Sequence, residues 1–361
     1  MSEEEEIKRI RTAIDALDRQ LIELLNARAA KTVEIGEIKK SGDGAVAFYR
    51  PDREAAVLRK IRDLNQGPLP DDDAVRLLRE VMSACLALEQ PLRVAYLGPE
   101  GTYTHAAAAR HFGGSVTLMP CTTIGQVFRE VESGACDYGV VAIENSLEGA
   151  VNQTLDCLSE TSLNICGEVR LGVHHQLLCS SSSVADIKRV CAHQQALAQC
   201  REWLDRNLST AERNPVASNA LAAQLAAEDE TCAAIASEHA SRLYAVPVLE
   251  RNIEDHPQNT TRFAVIGQQL PESTGDDLTS IVFSMANRPG ALHSVLSSLA
   301  REQISMSRIE SRPIKNGAWD YLFFVDLEGH CEDAPVAAAI ESIRAQTSMF
   351  KVLGSYPRSA L

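Results

Sequence analysis

Apolar positions in the first ninety residues recur at intervals of three and four. Ile7, Ile10, Ile14, Leu17, Leu21, Leu24, Leu25, Ile35 and Ile38 form one stripe, and no proline or glycine interrupts it before Gly36. SGDGA, Ser41 to Ala45, ends the run. A second helix is predicted from about Pro51, with proline in its first turn, and GPLPDDD, Gly67 to Asp73, caps a third that reaches about Gln90. A first helix of roughly 38 residues would be about 57 Å long at 1.5 Å per residue. Two shorter helices of the same chain cannot cover it, so its stripe predicts a second copy and a helical dimer.

From Leu92 the pattern changes to short apolar runs separated by amphipathic stretches. VAYLG, VTLMP, DYGVVAIEN, KRVCAH, CAAIA and RFAVIG read as strands, and IGQVFREVES, ALAQCREWLDRNL and SNALAAQLAAED as helices between them. The alternation predicts a mostly parallel α/β sheet in two lobes, with ligands at the C-terminal rims of its strands. PESTGDD, Pro271 to Asp277, reads as a linker. Beyond it come SIVFSMAN, a helix from Ala291 to about Gln303, SMSRIESRPIK, a turn at Lys315 to Ala318, DYLFFVDLEG, a helix from about Ala334, and FKVLGSY. The order is βαββαβ, a small α+β sandwich.

Composition narrows the function classes. A chain of 361 residues suits two or three domains, and 45% apolar with 23% charged residues is ordinary for a globular protein. The net charge of -14 argues against nucleic acid and anionic membrane as partners, yet residues 1 to 90 hold 15 of the 35 Lys and Arg. The ten cysteines include no CxxC pair, which predicts reduced, packed thiols. The acidic start MSEEEEIKRI has no apolar core of a signal peptide, and no apolar run approaches a membrane span, so a cytoplasmic location is expected.

The cations of the first segment are spaced for chemistry. Arg28 and Lys39 are eleven residues apart, about 20° past three full helical turns, so they share a face. Arg11 points about 100° away from Arg28 and lies about 25 Å along the axis, so it can join them only from an antiparallel partner. The second helix adds Arg53 and Glu54, and the third adds Cys85 and Glu89. These types and spacings resemble the all-helical chorismate mutase family over residues 7 to 90. That resemblance implies that Arg28 and the partner's Arg11 hold two carboxylates of chorismate, that Glu54 takes the ring hydroxyl, and that Lys39 with Glu89 donates to the breaking ether oxygen. Many members carry glutamine where Glu89 stands and serine where Cys85 stands. A carboxylate donates only when protonated, so mutase activity is expected to fall with rising pH as Glu89 ionises.

GPEGTYTHAA, Gly98 to Ala107, places glycines with Thr102 and Thr104 before a helix, a carboxylate site without dinucleotide spacing. VVAIENSLEG puts Glu144, Asn145 and Ser146 at a strand end. With HQQALAQC and NTTRFAVIG, these motifs resemble the prephenate dehydratase family along residues 93 to 267, which implies a two-lobed domain like the periplasmic binding proteins. In that resemblance Thr261 faces the departing ring hydroxyl, Arg262 holds the site's electrostatics or a substrate carboxylate, and Glu144 serves as proton source or structural cap. Ala142 and Gln194 stand where proline is common. His193, His174 and His175 read as structural. NRPGALHSVL and RIESRPIK resemble the ACT domain found behind such dehydratases. They imply L-phenylalanine as a feedback inhibitor held by Arg288, Gly290, Ala291 and Leu292, with Glu310 and Ser311 across an ACT pair.

The expected organisation is a helical domain over 1–91, a dehydratase domain over 92–269, a linker over 270–277 and an ACT domain over 278–361. The expected protein is a homodimer or larger oligomer that uses no metal and no redox cofactor. Two alternatives are a dehydratase whose helices are only a dimer scaffold, and a sensor that binds prephenate or phenylalanine without turnover. Arg11→Ala tests the scaffold, and Thr261→Ala with retained binding tests the sensor.

Overall fold

The computed structural model describes residues 2–41, 48–285, 288–313 and 321–359. Three helices open the chain: α1 Glu3–Ser41, α2 Pro51–Leu64 and α3 Asp71–Glu89. Acidic Glu3 to Glu6 in the first turn of α1 and Lys39 and Lys40 in its last complement the helix dipole. Gly36 is the buried residue of α1; a Cβ there would stand 3.1 Å from Glu89 Cγ, so the glycine lets α3 cross close enough to bring Glu89 to Lys39. The apolar stripe nearer the N-terminus has no cover within the chain: Ile10 is 51%, Leu17 62% and Leu24 68% exposed. Of SGDGA, only Ser41 lies within the described residues.

The middle of the chain forms two sheets. The first takes β1 Arg93–Leu97, β2 Thr117–Cys121, β3 Tyr138–Asn145, β4 Gly149–Ala150 and β5 Asn164–Gly172, with α4 Tyr103–Phe112, α5 Ile124–Glu132 and α6 Asn152–Glu160. The second lobe follows with β6 Gln176–Leu178, β7 Arg189–Ala192, α7 Gln194–Gln199, α8 Arg201–Asn207, β8 Glu212–Pro215, α9 Asn219–Glu228, β9 Cys232–Ala236, α10 Glu238–Tyr244 and β10 Val248–Glu250. Then β11, Thr260–Gly267, returns to the first sheet, whose order is β2-β1-β3-β11-β5; the second is ordered β10-β6-β9-β7-β8.

The sheets are mixed, which corrects the expectation of mostly parallel pairing. β1 is parallel to β2 and β3, but β11 is antiparallel to both β3 and β5. The reason is connectivity: β5 carries the chain toward the second lobe and β11 brings it back. The start of β11 therefore lies beside the end of β3, pairing Thr261 with Asn145 and Arg262 with Glu144.

The last segment is β12 Asp277–Met285, α11 Ala291–Arg301, β13 Met306–Pro313, β14 Tyr321–Glu328, α12 Ala334–Arg344 and β15 Met349–Pro357, in the expected βαββαβ order. Its antiparallel sheet, β13-β14-β12-β15, packs Ile281, Phe283 and Val325 against its helices. The other face buries Val282, Phe324 and Leu353 against Ile165, Ala264 and Ile266 of the first sheet. Gly354 marks the closest crossing, where a Cβ would collide with the Ile165 backbone. The turn expected at Lys315 to Ala318 lies outside the described residues. The linker is a structured turn: Asp277, 2% exposed, accepts from Thr274 and Gly275, and Arg50 and Arg59 of the helical segment pair with Glu272 and Asp276.

Candidate functional site

Two cavities hold most of the candidate residues. The first, about 430 Å³, lies among α1, α2 and α3 and is lined by Arg28, Lys39, Arg53, Glu54, Cys85 and Glu89. The 3.6-residue period brings Arg28 and Lys39 to one wall, as their spacing requires. Lys39 Nζ lies 3.2 Å from Glu89 Oε2 and 3.1 Å from the Phe48 carbonyl. Arg28 has a buried Nη1 with no hydrogen-bond partner among the described residues. Such a group costs free energy unless a ligand satisfies it. Glu54 receives Arg79 Nε at 3.2 Å; burial pushes its carboxyl above the usual range, and Arg79 pulls back against that shift. Arg11, exposed on the outer reach of α1, does not line the cavity.

The second cavity, about 380 Å³, lies between the lobes. Asn145 Nδ2 donates to Thr261 Oγ1 at 2.8 Å and to Asn259 Oδ1 at 2.8 Å, while its Oδ1 accepts from the backbone N–H groups of Leu147 and Glu148. Asn259 Nδ2 donates in turn to Gln199 Oε1, which lies 2.8 Å from His175 Nε2. Tyr103 lies 3.1 Å from the other nitrogen of that ring, and burial lowers the His175 pKa. Asn259, Gln199 and Tyr103 are not among the residues the sequence singles out, and His175, which reads there as structural, is part of this chain of bonds along the cleft. Asn259 stands in the quoted NTTRFAVIG motif, but it is brought to the cleft only by the return of β11.

Four assignments change. Arg262 follows Thr261 on a strand, so its side chain takes the opposite face. There it pairs with Glu168 at 2.7 Å and Asp326 at 2.5 Å and donates to the Tyr356 hydroxyl. It ties the first sheet to the C-terminal sheet and does not reach the cleft. Glu144 alternates with Asn145 in the same way and meets Arg308 of β13 at 2.9 Å. Thr102 is the N-cap of α4, accepting from His105 N–H and donating to the Leu97 carbonyl. Ser146 Oγ accepts from Thr260 N–H and bonds Asn259, shaping the turn behind the cleft. His193 lines the cleft and also caps α7, accepting from Gln195 N–H.

In the C-terminal segment Gly290 has φ 81°, a left-handed conformation that glycine adopts freely, and it precedes Ala291 and Leu292 at the start of α11. Arg288 is exposed beside them, while Glu310 and Ser311 sit on the edge strand β13. On the same strand Arg312 pairs with Asp156 of α6. Among the described residues no group of three or more His, Cys, Asp or Glu is placed to hold a metal ion, and no helix is long and apolar enough to cross a membrane.

Comparison with known proteins gives three family matches in order: chorismate mutase type II over residues 10–90, prephenate dehydratase over 94–270 and the ACT domain over 279–345. The chain is 48% identical to the bifunctional chorismate mutase/prephenate dehydratase of Pseudomonas aeruginosa across all of both chains. It is 50% identical to that of Neisseria gonorrhoeae across 97% of each. A solved prephenate dehydratase from Arthrobacter aurescens, in complex with L-Phe, shares 35% identity and a TM-score of 0.68, covering 74% of this chain and 90% of its own.

Proposed function

The chain belongs to the bifunctional chorismate mutase/prephenate dehydratase family, and from that premise we propose how its two cavities divide the work. It rearranges chorismate to prephenate, then decarboxylates and dehydrates prephenate to phenylpyruvate in phenylalanine biosynthesis. The helical cavity is the mutase site. Chorismate rearranges through a compact chair without covalent help, so the site must hold it folded and stabilise charge on the ether oxygen. Arg28, with its unpartnered buried nitrogen, takes one carboxylate through the fork that suits guanidinium. Arg11 of the partner subunit takes the other, Arg53 adds positive charge, and Glu54 accepts the ring hydroxyl. Lys39 donates to the ether oxygen, with Glu89 holding the ammonium in place. The exposed stripe of α1 is the dimer face that delivers Arg11, so the working unit is a homodimer.

The cleft is the dehydratase site. Hydroxide leaves poorly without a proton or a strong hydrogen bond. The Asn145 amide is fixed by two backbone donors to its oxygen, so its NH₂ points at Thr261 Oγ1. Thr261 then accepts from Asn145 and turns its own proton toward the departing hydroxyl. Among the described residues the cleft lining contains no Lys or Arg, and the substrate carboxylates are met by amides and by the N-termini of α6 and α9, at Val151 and Asn219.

The C-terminal segment is the feedback sensor. L-phenylalanine binds at Arg288 to Leu292, with Glu310 and Ser311 of a paired ACT domain, and inhibits turnover. Its signal reaches the cleft through Arg308 to Glu144 and Asp326 to Arg262, the residues beside Asn145 and Thr261. A coupling of about 1 to 3 kcal/mol would change affinity roughly 5- to 150-fold. The test is to give chorismate to the purified full chain, with and without L-phenylalanine, and measure prephenate and phenylpyruvate. Phenylpyruvate suppressed by phenylalanine is the expected result. Accumulated prephenate would place the fault in the cleft, and untouched chorismate would make the helices a scaffold.

A further inference from the structure

The wall of the helical cavity is completed by one residue from outside the helical segment, which stands against Tyr49. Its lining includes Tyr49, which precedes α2, and Phe112, the last residue of α4 in the dehydratase layer. Tyr49 is 5% exposed, and its ring packs 5.3 Å from Phe112 and 5.2 Å from Tyr138. Its hydroxyl lies 3.0 Å from Nε2 of His111, again on α4. Tyr49 and Glu54 line the same cavity; burial raises the Glu54 pKa, and Arg79 first and then the Tyr49 hydroxyl act against that shift. Burial pushes His111 down to about 3, so its ring is neutral at ordinary pH and serves Tyr49 as a fixed hydrogen-bond partner.

The junction that holds this wall is tightly made. Gly114 N–H donates to Glu80 at 2.9 Å, Ser115 N–H donates to Ser83 Oγ at 3.2 Å, and Arg79 donates to the Arg110 carbonyl at 3.3 Å. Gly113 has φ 75°, and a Cβ there would come within 2.6 Å of Ser83 Cβ, so α3 docks onto the end of α4 through a position only glycine fits. Behind the imidazole, a Cβ on Gly167 would stand 3.3 Å from His111 Cε1. The sheet therefore sets the ring from one side while Tyr49 meets it from the other.

We propose that Tyr49 and His111 are positioning residues of the mutase, with His111 orienting the Tyr49 hydroxyl and Tyr49 orienting Glu54, so that the dehydratase layer completes the wall of the mutase site. The inference rests on the assignment of Glu54 to the substrate's ring hydroxyl. A substrate contact held by a buried relay weakens when any member is removed, because the carboxylate then loses one of the groups that set it and keeps only Arg79.

The experiment uses the full chain and four variants: Glu54→Gln, Tyr49→Phe, His111→Phe and His111→Gln. Mutase kcat and KM are measured with chorismate. Turnover of supplied prephenate, at a cleft that none of these side chains lines, is measured beside them with a thermal melt. Tyr49→Phe is expected to raise the mutase KM about tenfold, a change of about 1.4 kcal/mol, with a smaller loss in kcat. His111→Phe should do the same, and His111→Gln, whose amide can meet Tyr49, should recover most of the loss. Prephenate turnover should stay within about twofold, a change too small to signal a lost contact. An unchanged mutase in Tyr49→Phe while Glu54→Gln is impaired overturns this inference alone. An unimpaired Glu54→Gln overturns the Glu54 assignment beneath it. Equal loss of both activities in Tyr49→Phe with a lowered melting temperature shows a general packing role and also overturns the proposal.

Discussion

The two cavities solve different electrostatic problems. The helical cavity is lined by Arg28, Lys39 and Arg53 with the carboxylates of Glu54 and Glu89, whereas the cleft between the lobes is lined by amides, two hydroxyls, imidazoles and one glutamate, with no Lys or Arg among the described residues of its lining. A rearrangement that makes and breaks bonds in a bound dianion needs fixed positive charge. Loss of hydroxide needs a directed proton, and a chain of amides can direct one because each amide has a donor end and an acceptor end. The contrast shows in how each site is pinned: ion pairs between helices in one, a hydrogen-bond chain across two strands and a helix in the other.

The sharpest way to break the comparison is Thr261→Ala. Prephenate turnover is expected to fall about 10²- to 10⁴-fold while chorismate consumption is unchanged, as read by following the two substrates separately. Next, Arg262→Met removes the partner of two buried carboxylates, Glu168 and Asp326, and should cost about 3 to 5 kcal/mol in denaturant unfolding of the part it joins. If Arg262→Met left stability intact but abolished prephenate binding, the arginine would belong to the cleft after all. Arg28→Ala should lower mutase kcat/KM by roughly 10- to 150-fold, the worth of a charged hydrogen bond, and spare the dehydratase.

Smaller effects sharpen the picture. Glu89→Gln removes the carboxylate that holds the Lys39 ammonium and should lower mutase kcat/KM roughly 2- to 12-fold, the worth of one hydrogen bond, while an unchanged mutase would rule that role out. His111, depressed from its ordinary value to about 3, stays neutral in the fold where the unfolded chain would already be protonated. Its contribution is present above about pH 6.5 and is lost as pH falls toward 3, with a slope of at most about 1.4 kcal/mol per pH unit. Comparing the acid unfolding of wild type with His111→Gln should show that slope reduced in the variant.

Much of this architecture was legible before the coordinates. The stripe from Ile7 to Ile38 and the Pro51 start gave the three helices, because a 3.6 period over long segments leaves little ambiguity. Strands β4, β5, β6, β8 and β10 are not among those the pattern predicts. Four of them are only two to four residues long, and β5, NICGEVRLG, mixes glycines and charges with its apolar positions. The misplacement of Arg262 and Glu144 had a signal available: each adjoins a residue assigned to the cleft, and neighbours on a strand face opposite ways. What no local pattern carries is the direction of β11. The same apolar run would read alike in a parallel strand, and only the long return through the second lobe makes Thr261 the neighbour of Asn145.

The two-residue register at the start of β11 also limits how this protein can change. Thr261 lines the cleft and Arg262 makes the joint to the C-terminal sheet, and they are separated by a single peptide bond. One residue inserted or deleted just before them would exchange the two faces, sending the arginine into the cleft and the threonine into the joint. Drift by insertion is therefore closed at this point of the chain. The cleft residue and the joint residue must be inherited as a pair, and variation between relatives should enter by substitution at other positions.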